Sequence, residues 1–454
     1  MKSWRTSWRI WGIERFLIAT LKSTIRHLGR KEFLRTQTPP PAAALPPKRH
    51  GVCFRLMHSL STLLAFSAGA ALITLMLQDA FEVMLLPRRV RRRWRLMGIF
   101  FYFAWALWAG IGRQIKPHCE RERFLSLFGP ISMVGLFSIW AIGLMAGFGL
   151  VFWSLERHLP NHYDLGSYLY MSGTTLVTLG YGDFTPHAAS TKAIAVAEAA
   201  TGFGLLAVVI GYLPVLYQLF SRRETHVMQL DGRAGSPPTA GVLLGRHASN
   251  QALHKLDDLL LDWEKWCAEL VESHLSYPML SFYRSQHANQ NWLTALAAIT
   301  DCCVIVMVGL KDVPAFQAKM TFAMARLAMV ELCRVFHLSP IPHPEDRIGR
   351  KELRALNAEL SASGLAWVDS GAAGGKVAEF DATYEPFLQA LARFLIIDLP
   401  SVTPGSGNGL DNWQRSVRGR SAKSLVEQAR SGTNPSRSQK RHGTKQSSNY
   451  RSSL

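Results

Sequence analysis

The chain has 454 residues, 48% of them hydrophobic, and a formal net charge of +19 at pH 7. The charge is concentrated at the two ends, because residues 1–55 carry +10, residues 401–454 carry +8, and all residues between them carry only +1. This distribution argues against a nucleic-acid-binding protein, which needs a basic patch on a folded surface, and the six cysteines include no C-x-x-C pair that would indicate a zinc or thiol-redox site.

Residues 1–56 are predicted to form a basic arm followed by a proline-rich linker. The arm carries tryptophan and aliphatic residues that suit it to lie on a membrane surface. It fits equally well as an extension upstream of the natural start, since Met57 would serve as a first residue. No cleavable signal peptide is recognisable, because prolines rather than an apolar core follow the basic residues.

Four apolar segments follow, at residues 60–77, 96–112, 131–153 and 193–220. A helix needs about 20 residues to cross the hydrocarbon core of a membrane. The two later segments are therefore predicted to span the membrane. Residues 60–77 do so if the helix is slightly extended, and residues 96–112 are marginal.

Three basic clusters predict which ends of these segments face the cytoplasm. They lie at residues 88–95, at 113–123 and at 222–223. The first two clusters cannot both be cytoplasmic if residues 96–112 cross the membrane. We therefore expect three spans, with 96–112 on the surface or half inserted, and four spans are the alternative. Residues 57–128 would then be membrane segments with a basic cytoplasmic linker.

Residues 241–400 have the composition of a soluble protein and are predicted to form a helical cytoplasmic domain. Apolar residues recur at helical spacing in three segments, 249–274, 314–337 and 377–397. The more apolar segment 292–310 carries Asp301 at its centre, which favours a buried helix of this domain over a further span.

Two other segments of the C-terminal half read as irregular. Residues 368–376, with three glycines, are predicted to form a flexible loop, and residues 401–454 a disordered basic tail. The domain shows no nucleotide-binding signature. If it binds a ligand, the sequence does not indicate the class of that ligand. No nucleophile–base arrangement and no metal-ligand spacing is recognisable, and the sequence therefore predicts neither an enzyme nor a cofactor.

The segment between the last two spans, TTLVTLGYGDFTP at residues 174–186, is neither helical nor strand-like by propensity. Backbone at membrane depth that is not helical must line a protected polar cavity. Gly180 and Gly182 tolerate the left-handed conformations that other residues avoid. Alternating such residues with ordinary ones aims successive carbonyls in one direction, and a ring of such segments replaces the water around a cation.

The stretch resembles the selectivity filter of the bacterial two-transmembrane-pore potassium channel family, whose pattern is T-x-x-T-V-G-Y-G-D. Here the pattern runs from Thr175 to Asp183, with Leu179 in place of the usual valine. This exchange leaves the backbone carbonyl in place. The resemblance implies that the filter is formed by residues 178–183, and that K⁺ is held by four backbone carbonyls, those of Thr178, Leu179, Gly180 and Tyr181.

The flanking segments agree with this resemblance. They imply an all-α membrane protein with a pore-loop channel core and a helical cytoplasmic C-terminal domain. The pore domain would comprise residues 129–222, in four parts: an outer helix at 131–153, a pore helix at 165–177, the filter, and an inner helix at 193–220. Gly202 and Pro214 are the candidate gating hinges of the inner helix, and for Gly202 close helix packing is the alternative.

The pore helix offers four residues that would support the filter: Tyr168, Tyr170, Thr174 and Thr175. At Thr174 some relatives carry a glutamate behind the filter, and that support is missing here. Asp183 is expected at the outer mouth, where it would attract cations or bond groups beside Tyr181.

The resemblance implies a potassium-selective channel that conducts passively as a homotetramer, because each chain supplies one filter segment and four are required. The permeant ion is K⁺, and the expected partners are other copies of the chain and membrane lipid, in a cell membrane of bacterial inner-membrane type. The alternative is a non-conducting membrane-anchored sensor that works through its helical domain.

Overall fold

The computed structural model describes residues 50–84, 96–286, 289–310, 313–341, 347–365, 370–403 and 411–414. The regular elements in these ranges are helices, and the protein is an all-α membrane protein. The chain divides into two compact units, Met1–Ser61 and Thr62–Leu454. Most of the predicted basic arm lies outside the described residues, but the first helix already begins at His50, before the predicted end of the arm.

The N-terminal half contains six helices: α1 His50–Met84, α2 Leu96–Gly112, α3 His118–Ser126, α4 Phe128–Glu156, α5 Leu165–Leu176 and α6 Ala189–Ala234. Among the described residues, four stretches are long and apolar enough to cross a membrane: Ser59–Met84, His118–Glu156, Ala189–Ala234 and Trp292–Gly309. The outer and inner helices both exceed their predicted bounds. A hydropathy pattern predicts only the apolar part of a helix. The helix itself extends further where its polar turns form hydrogen bonds or pack against other residues.

Helix α1 packs antiparallel along α4. Gly69 lies so close to Gly147 that a Cβ on Gly69 would stand 2.7 Å from the Gly147 carbonyl oxygen. Ten residues further along α1, the Asp79 carboxylate accepts a hydrogen bond of 2.9 Å from the Trp140 indole. The small residues thus let the two backbones approach, and the end of α1 that precedes α2 lies near the start of α4.

Helix α2 packs against α4. Its contacts with that segment lie around the start of α4, where Phe101 and Trp105 pack on Phe128 and Phe100 approaches Gly135. The short α3 follows α2 and leads directly into α4. The 17-residue α2 is therefore placed at one end of the outer helix.

The C-terminal helical domain, residues 240–403, contains six further helices: α7 Ala240–Ser249, α8 Leu256–Ser276, α9 Trp292–Gly309, α10 Phe316–Val335, α11 Arg350–Ala362 and α12 Ser370–Leu395. Short 3₁₀ turns lie at Leu253–Lys255 and Pro278–Phe282. Helix α9 is buried along nearly its whole length, which confirms the prediction of a buried helix at 292–310. It packs against α7, α10 and α12.

The buried charge on α9 has a complete set of partners. Asp301 receives two hydrogen bonds from the Arg347 guanidinium, at 2.7 and 2.5 Å, and one of 2.7 Å from the Tyr384 hydroxyl. The Arg347 Nε also donates to Glu385 at 3.1 Å. A buried ion is tolerated only when it is paired and hydrogen-bonded in this way.

The prediction of a flexible loop at 368–376 is wrong for its described part. Residues 370–376 are not a flexible loop but the first turns of α12, because extending a helix that is already packed adds a hydrogen bond for each residue fixed. Pro386 lies inside the same helix without ending it, and its carbonyl accepts a hydrogen bond from the Ile341 amide.

The predicted disordered tail is also partly wrong. The Val402 carbonyl accepts from the Gly241 amide, and the Asp411 carboxylate pairs with Arg246 and accepts from the Ser236 amide at 3.1 Å. Residues 401–403 and 411–414 are thus part of the fold, because two hydrogen-bonding sites on α6 and α7 hold them. The rest of the predicted tail lies outside the described residues.

Candidate ion-conduction site

The pore helix α5 begins at a well-formed N-cap. The Asp164 side chain accepts hydrogen bonds from the Gly166 amide at 2.9 Å and from the Ser167 hydroxyl at 2.5 Å. A carboxylate at this position satisfies amides that the first turn leaves unpaired. The helix ends at Leu176, one residue before its predicted end, and it packs between α4 and α6.

The backbone after α5 folds back onto the helix end. The amides of Leu179 and Gly180 both donate to the Thr174 carbonyl, at 2.8 and 3.2 Å, and the Thr178 amide donates to the Thr175 carbonyl at 3.0 Å. Thr174 and Thr175, which the sequence predicts to support the filter, thus accept hydrogen bonds from the segment that follows α5 through their carbonyls. The Thr174 hydroxyl turns back to the Met171 carbonyl of its own helix.

The filter segment alternates between left-handed and ordinary backbone conformations. Thr178, Gly180 and Gly182 have φ angles of 60°, 57° and 77°, whereas Leu179 and Tyr181 between them have negative φ. Positive φ is unfavourable for a residue with a branched side chain, so Thr178 is strained. The alternation is the backbone pattern that the sequence predicted for carbonyls aimed in one direction.

The same segment is open on one side. The side chains of Leu179 and Tyr181 are 57% and 68% exposed, and a Cβ added to Gly180 or Gly182 would meet no atom within 4 Å. Large apolar side chains exposed in one patch indicate an interaction surface. This side of the segment thus has no contacts with the described residues of its own chain.

Tyr168, on the pore helix, is fully buried, and its hydroxyl donates to Glu156 at 2.9 Å. Glu156 is the last residue of α4 and is completely buried. It also accepts from the amides of His187 and Ala188, at 2.7 and 3.2 Å, from the His187 ring, and from the Thr191 hydroxyl. One carboxylate therefore joins the outer helix, the pore helix and the start of the inner helix.

Sequence reasoning did not identify Glu156. The only available signal was an acidic residue at the end of a long apolar segment, directly before Arg157. This pattern predicts an exposed residue at the end of a membrane-spanning helix. Its five donors come from residues 12 to 35 positions away in the chain, and no local pattern brings them together.

Tyr170 is half-exposed and contacts the segment beyond the filter. Its ring packs on Phe184 with the centroids 5.8 Å apart, and its hydroxyl interacts with the Asp183 carboxylate. Asp183 also accepts a hydrogen bond of 3.0 Å from the Phe184 amide. Asp183 is exposed, and the Tyr163 ring packs on the other side of Phe184. The residues predicted for the pore-helix brace and the outer mouth thus contact each other.

The inner helix touches the pore helix at Gly202. A Cβ at this position would stand 1.9 Å from the Leu176 carbonyl oxygen, so no larger residue fits without a backbone shift. One turn earlier, the Glu198 carboxyl is buried and is hydrogen-bonded to the Ser172 hydroxyl. The geometry thus supports the packing alternative for Gly202, and it leaves the hinge role as a prediction.

Pro214 lies inside α6 and does not interrupt it. Directly around it the helix meets the C-terminal helical domain, where the Tyr212 hydroxyl contacts the Met279 sulfur at 3.3 Å and Leu216 is buried. The inner helix is thus supported by protein on one face as it passes the proline.

Arg223 fixes α6 to the C-terminal helical domain. Its guanidinium donates to the carbonyls of Leu280 and Tyr283, at 2.8 and 2.6 Å, and approaches His274 Nε2 at 3.2 Å. Burial, and then the Arg223 charge, hold the pKa of His274 well below its usual range, so the neutral ring can accept from the arginine. Of the two arginines predicted to close the last span, only Arg222 is exposed.

Comparisons with known proteins agree with this geometry. Residues 131–218 match a family model described as "Ion channel". The chain is also similar to a Bacillus subtilis (strain 168) protein described as "Uncharacterized membrane protein YdjJ", at 24% identity over 217 residues. The aligned region is 46% of this chain and 61% of that protein, less than two thirds of its length. No solved structure matches the chain significantly. The resemblance to the two-transmembrane channel family is thus shown, and the membrane protein carries an ion channel domain.

Proposed function

We propose that the protein is a potassium-selective channel in a cell membrane of bacterial inner-membrane type. The observation that carries the proposal is the alternating backbone of residues 178–182, with positive φ at every second residue. In this arrangement the carbonyls of Thr178, Leu179, Gly180 and Tyr181 replace the hydration shell of K⁺. The function is passive conduction rather than catalysis, and Asp183 attracts cations to the outer mouth.

The proposed assembly is a homotetramer with the filter on its axis. One chain contributes one filter segment, and four are needed to surround an ion. The open side of the filter and the exposed apolar residues of α6, among them Phe203 and Ile210, support this assembly, because other copies would cover them. Closed cyclic symmetry satisfies identical chains that each carry the same unpaired surface.

The proposed topology has three crossing helices, α1, α4 and α6. It is supported by the antiparallel packing of α1 on α4 and by the position of α2 at one end of α4. The proposal places the C-terminal helical domain in the cytoplasm, because Arg222 and Arg223 follow the apolar part of α6. Gating would act on the part of α6 between Gly202 and Pro214, with the C-terminal helical domain attached through Arg223.

The deciding experiment is ion flux through the purified protein in liposomes, with reversal potentials measured in K⁺ and Na⁺ gradients. We expect K⁺ flux and a reversal potential that follows the K⁺ gradient. Gly182→Ala should abolish the flux, because φ of 77° is strained for alanine. Gly232→Ala is the matched control, since that helical glycine has open space around it and an ordinary φ.

Each other outcome contradicts part of the proposal. Equal permeability to Na⁺ and K⁺ would show that the channel is not selective for K⁺. No flux from a properly inserted tetramer would favour the non-conducting sensor. A conducting species that mass measurement in detergent shows to be monomeric or dimeric would overturn the carbonyl ring itself.

A further inference from the structure

Helix α2 has two apolar faces, and the described residues of the protein cover only one of them. The covered face contains Phe101, Trp105, Ala109 and Gly112, which recur every three or four residues. On the opposite side Tyr102 and Leu107 are 70% and 71% exposed, and Ile99, Phe103 and Ile111 are exposed as well. A helix on the surface of a water-soluble protein carries polar residues on its outer face. Helix α2 has no charged residue at all.

The covered face joins α2 to the C-terminal helical domain. The Trp105 indole donates to the Phe394 carbonyl at 3.0 Å, and its ring packs on Phe282 with the centroids 4.9 Å apart. Phe101 stacks on the same Phe282 ring. These contacts, together with those at the start of α4, place α2 between the outer helix and the domain, beside the end of a membrane-spanning helix.

Basic residues precede and follow α2 in the sequence. Six arginines precede α2 in the sequence: Arg88, Arg89, Arg91, Arg92, Arg93 and Arg95. Arg113 and Lys116 follow it, and both are exposed. An apolar helical face between basic residues fits the boundary of a membrane, with apolar side chains among the acyl chains and cations among anionic headgroups. A second copy of this chain fits less well, because it would bring two such basic sets together.

We propose that α2 lies in the membrane boundary and binds anionic phospholipid, with Tyr102, Phe103 and Leu107 in the acyl region and Arg113 and Lys116 at the headgroups. The opposite face of the helix holds the C-terminal helical domain against the membrane through Trp105. This lipid site depends neither on conduction nor on ion selectivity.

The test measures the depth of a spin label at position 107 in the full chain. Cys53→Ser and Cys119→Ser remove a cysteine at the start of α1 and the exposed Cys119, and Leu107→Cys introduces the labelling site. In vesicles, we expect the label to be relaxed by oxygen, which dissolves in lipid, and to be protected from a water-soluble nickel chelate. Lys265→Cys, at an exposed position of the C-terminal helical domain, is the water-facing control and should show the reverse.

The anionic preference has a matched charge test. Vesicles of phosphatidylcholine alone are compared with vesicles that also contain phosphatidylglycerol. We expect phosphatidylglycerol to move the label deeper in the parent chain and to move it less when Arg113→Gln and Lys116→Gln are combined. The control pair, Lys255→Gln with Lys319→Gln, removes the same charge from exposed positions of the C-terminal helical domain and should leave the shift intact.

Three results would overturn the proposal. Free access of the nickel chelate to position 107 would place the face in water. Protection from both reagents with spin–spin broadening between chains would show that a second copy covers it. Protection from both reagents without broadening would show that another segment of the same chain does so. None of these outcomes bears on whether the filter conducts K⁺, which the flux assay measures separately.

Discussion

Helices α6 and α9 are equally apolar but are buried to very different extents. The most apolar 18-residue stretches of the two helices are equally apolar. In α6, 11% of this stretch is buried by the described residues of the protein, whereas in α9 the buried share is 89%. Helix α9 is enclosed by its own chain. Helix α6 leaves most of its apolar stretch uncovered by the described residues of its own chain. Hydropathy therefore indicates that a helix is excluded from water. It does not indicate whether protein or lipid covers the helix, which depends on the tertiary contacts.

Each of the two helices carries a buried acidic residue within its apolar stretch, and the two residues have different partners. Asp301 of α9 receives hydrogen bonds from Arg347 and Tyr384 on both of its oxygens. Glu198 of α6 bonds only Ser172, and its second oxygen has no partner among the described residues. The buried acid of α9 thus has hydrogen-bond donors for both of its oxygens, whereas Glu198 of α6 has a donor for only one.

The largest expected effect comes from breaking the internal network of α9. Asp301→Ala leaves the Arg347 charge buried and partly unpaired, which typically costs about 3–5 kcal/mol. We expect the C-terminal helical domain to lose that much of its free energy of unfolding. Hydrogen exchange of the α9 amides in the full chain measures the loss.

The control for this variant is Asp262→Asn, which removes an exposed carboxylate paired with Lys265 on the surface of α8. Exposed ion pairs contribute about 0–1 kcal/mol. If both variants have the same small effect on α9 exchange, the buried network does not stabilise the domain, and the contrast with α6 is wrong.

A second expectation concerns pH in the same domain. Burial, and then the nearby Glu385 charge, raise the pKa of Asp381 to about 7, while Arg347 lowers it and Asp301 adds to the rise. The folded state therefore holds its proton to higher pH than the unfolded chain. The resulting stability is complete below about pH 4 and is lost as the pH rises to about 7, at no more than about 1.4 kcal/mol per pH unit.

Asp381→Asn removes this titration, so its unfolding free energy should change less between pH 4 and 7 than that of the parent chain. The pH dependence of α9 hydrogen exchange, corrected for intrinsic rates, measures the difference. Identical slopes in the two proteins would show that Asp381 does not control it.

The third expectation concerns the brace of the pore domain. Glu156→Gln places an amide NH₂ where backbone amides and hydroxyls now donate to a carboxylate, and hydrogen bonds to charged groups contribute about 1.5–3 kcal/mol. We expect the pore domain to be destabilised and K⁺ selectivity to fall, as measured by the reversal potential in mixed gradients.

Glu224→Gln is the control for this variant, because Glu224 pairs with Arg223 far from the filter. Unchanged selectivity in Glu156→Gln would show that the carboxylate holds the helices without positioning the filter.

The smallest expected effect comes from the helix contact at Gly202. Gly202→Ala must push the inner helix away from the Leu176 carbonyl, and overpacking of this kind costs about 1–3 kcal/mol. Gly204→Ala, two residues further along, meets no atom within 4 Å and should be tolerated. Thermal stability of the assembled protein in detergent compares the two. If both variants are equally stable, Gly202 is not a packing position.

Predictions that depend on interactions between residues close in sequence agree with the structure better than predictions that depend on distant residues. The pore helix was predicted within one residue, because its cap at Asp164 and the filter after Leu176 are local signals. The helix at 292–310 was also predicted, from a single central aspartate. The loop at 370–376 and the disorder at 411–414 were wrong, because α12 packing and the Arg246–Asp411 pair join residues far apart in sequence.

The sequence by itself determined that an apolar pair of helices encloses a segment whose glycines allow alternating backbone conformations, since conformational freedom is a property of each residue. Only the tertiary structure decided that Glu156 joins three helices, that Arg223 fixes the inner helix to the C-terminal helical domain, and that one face of α2 is covered and the other is open. Those outcomes depend on which distant groups meet, because burial and hydrogen bonding are properties of the packed chain rather than of any segment in it.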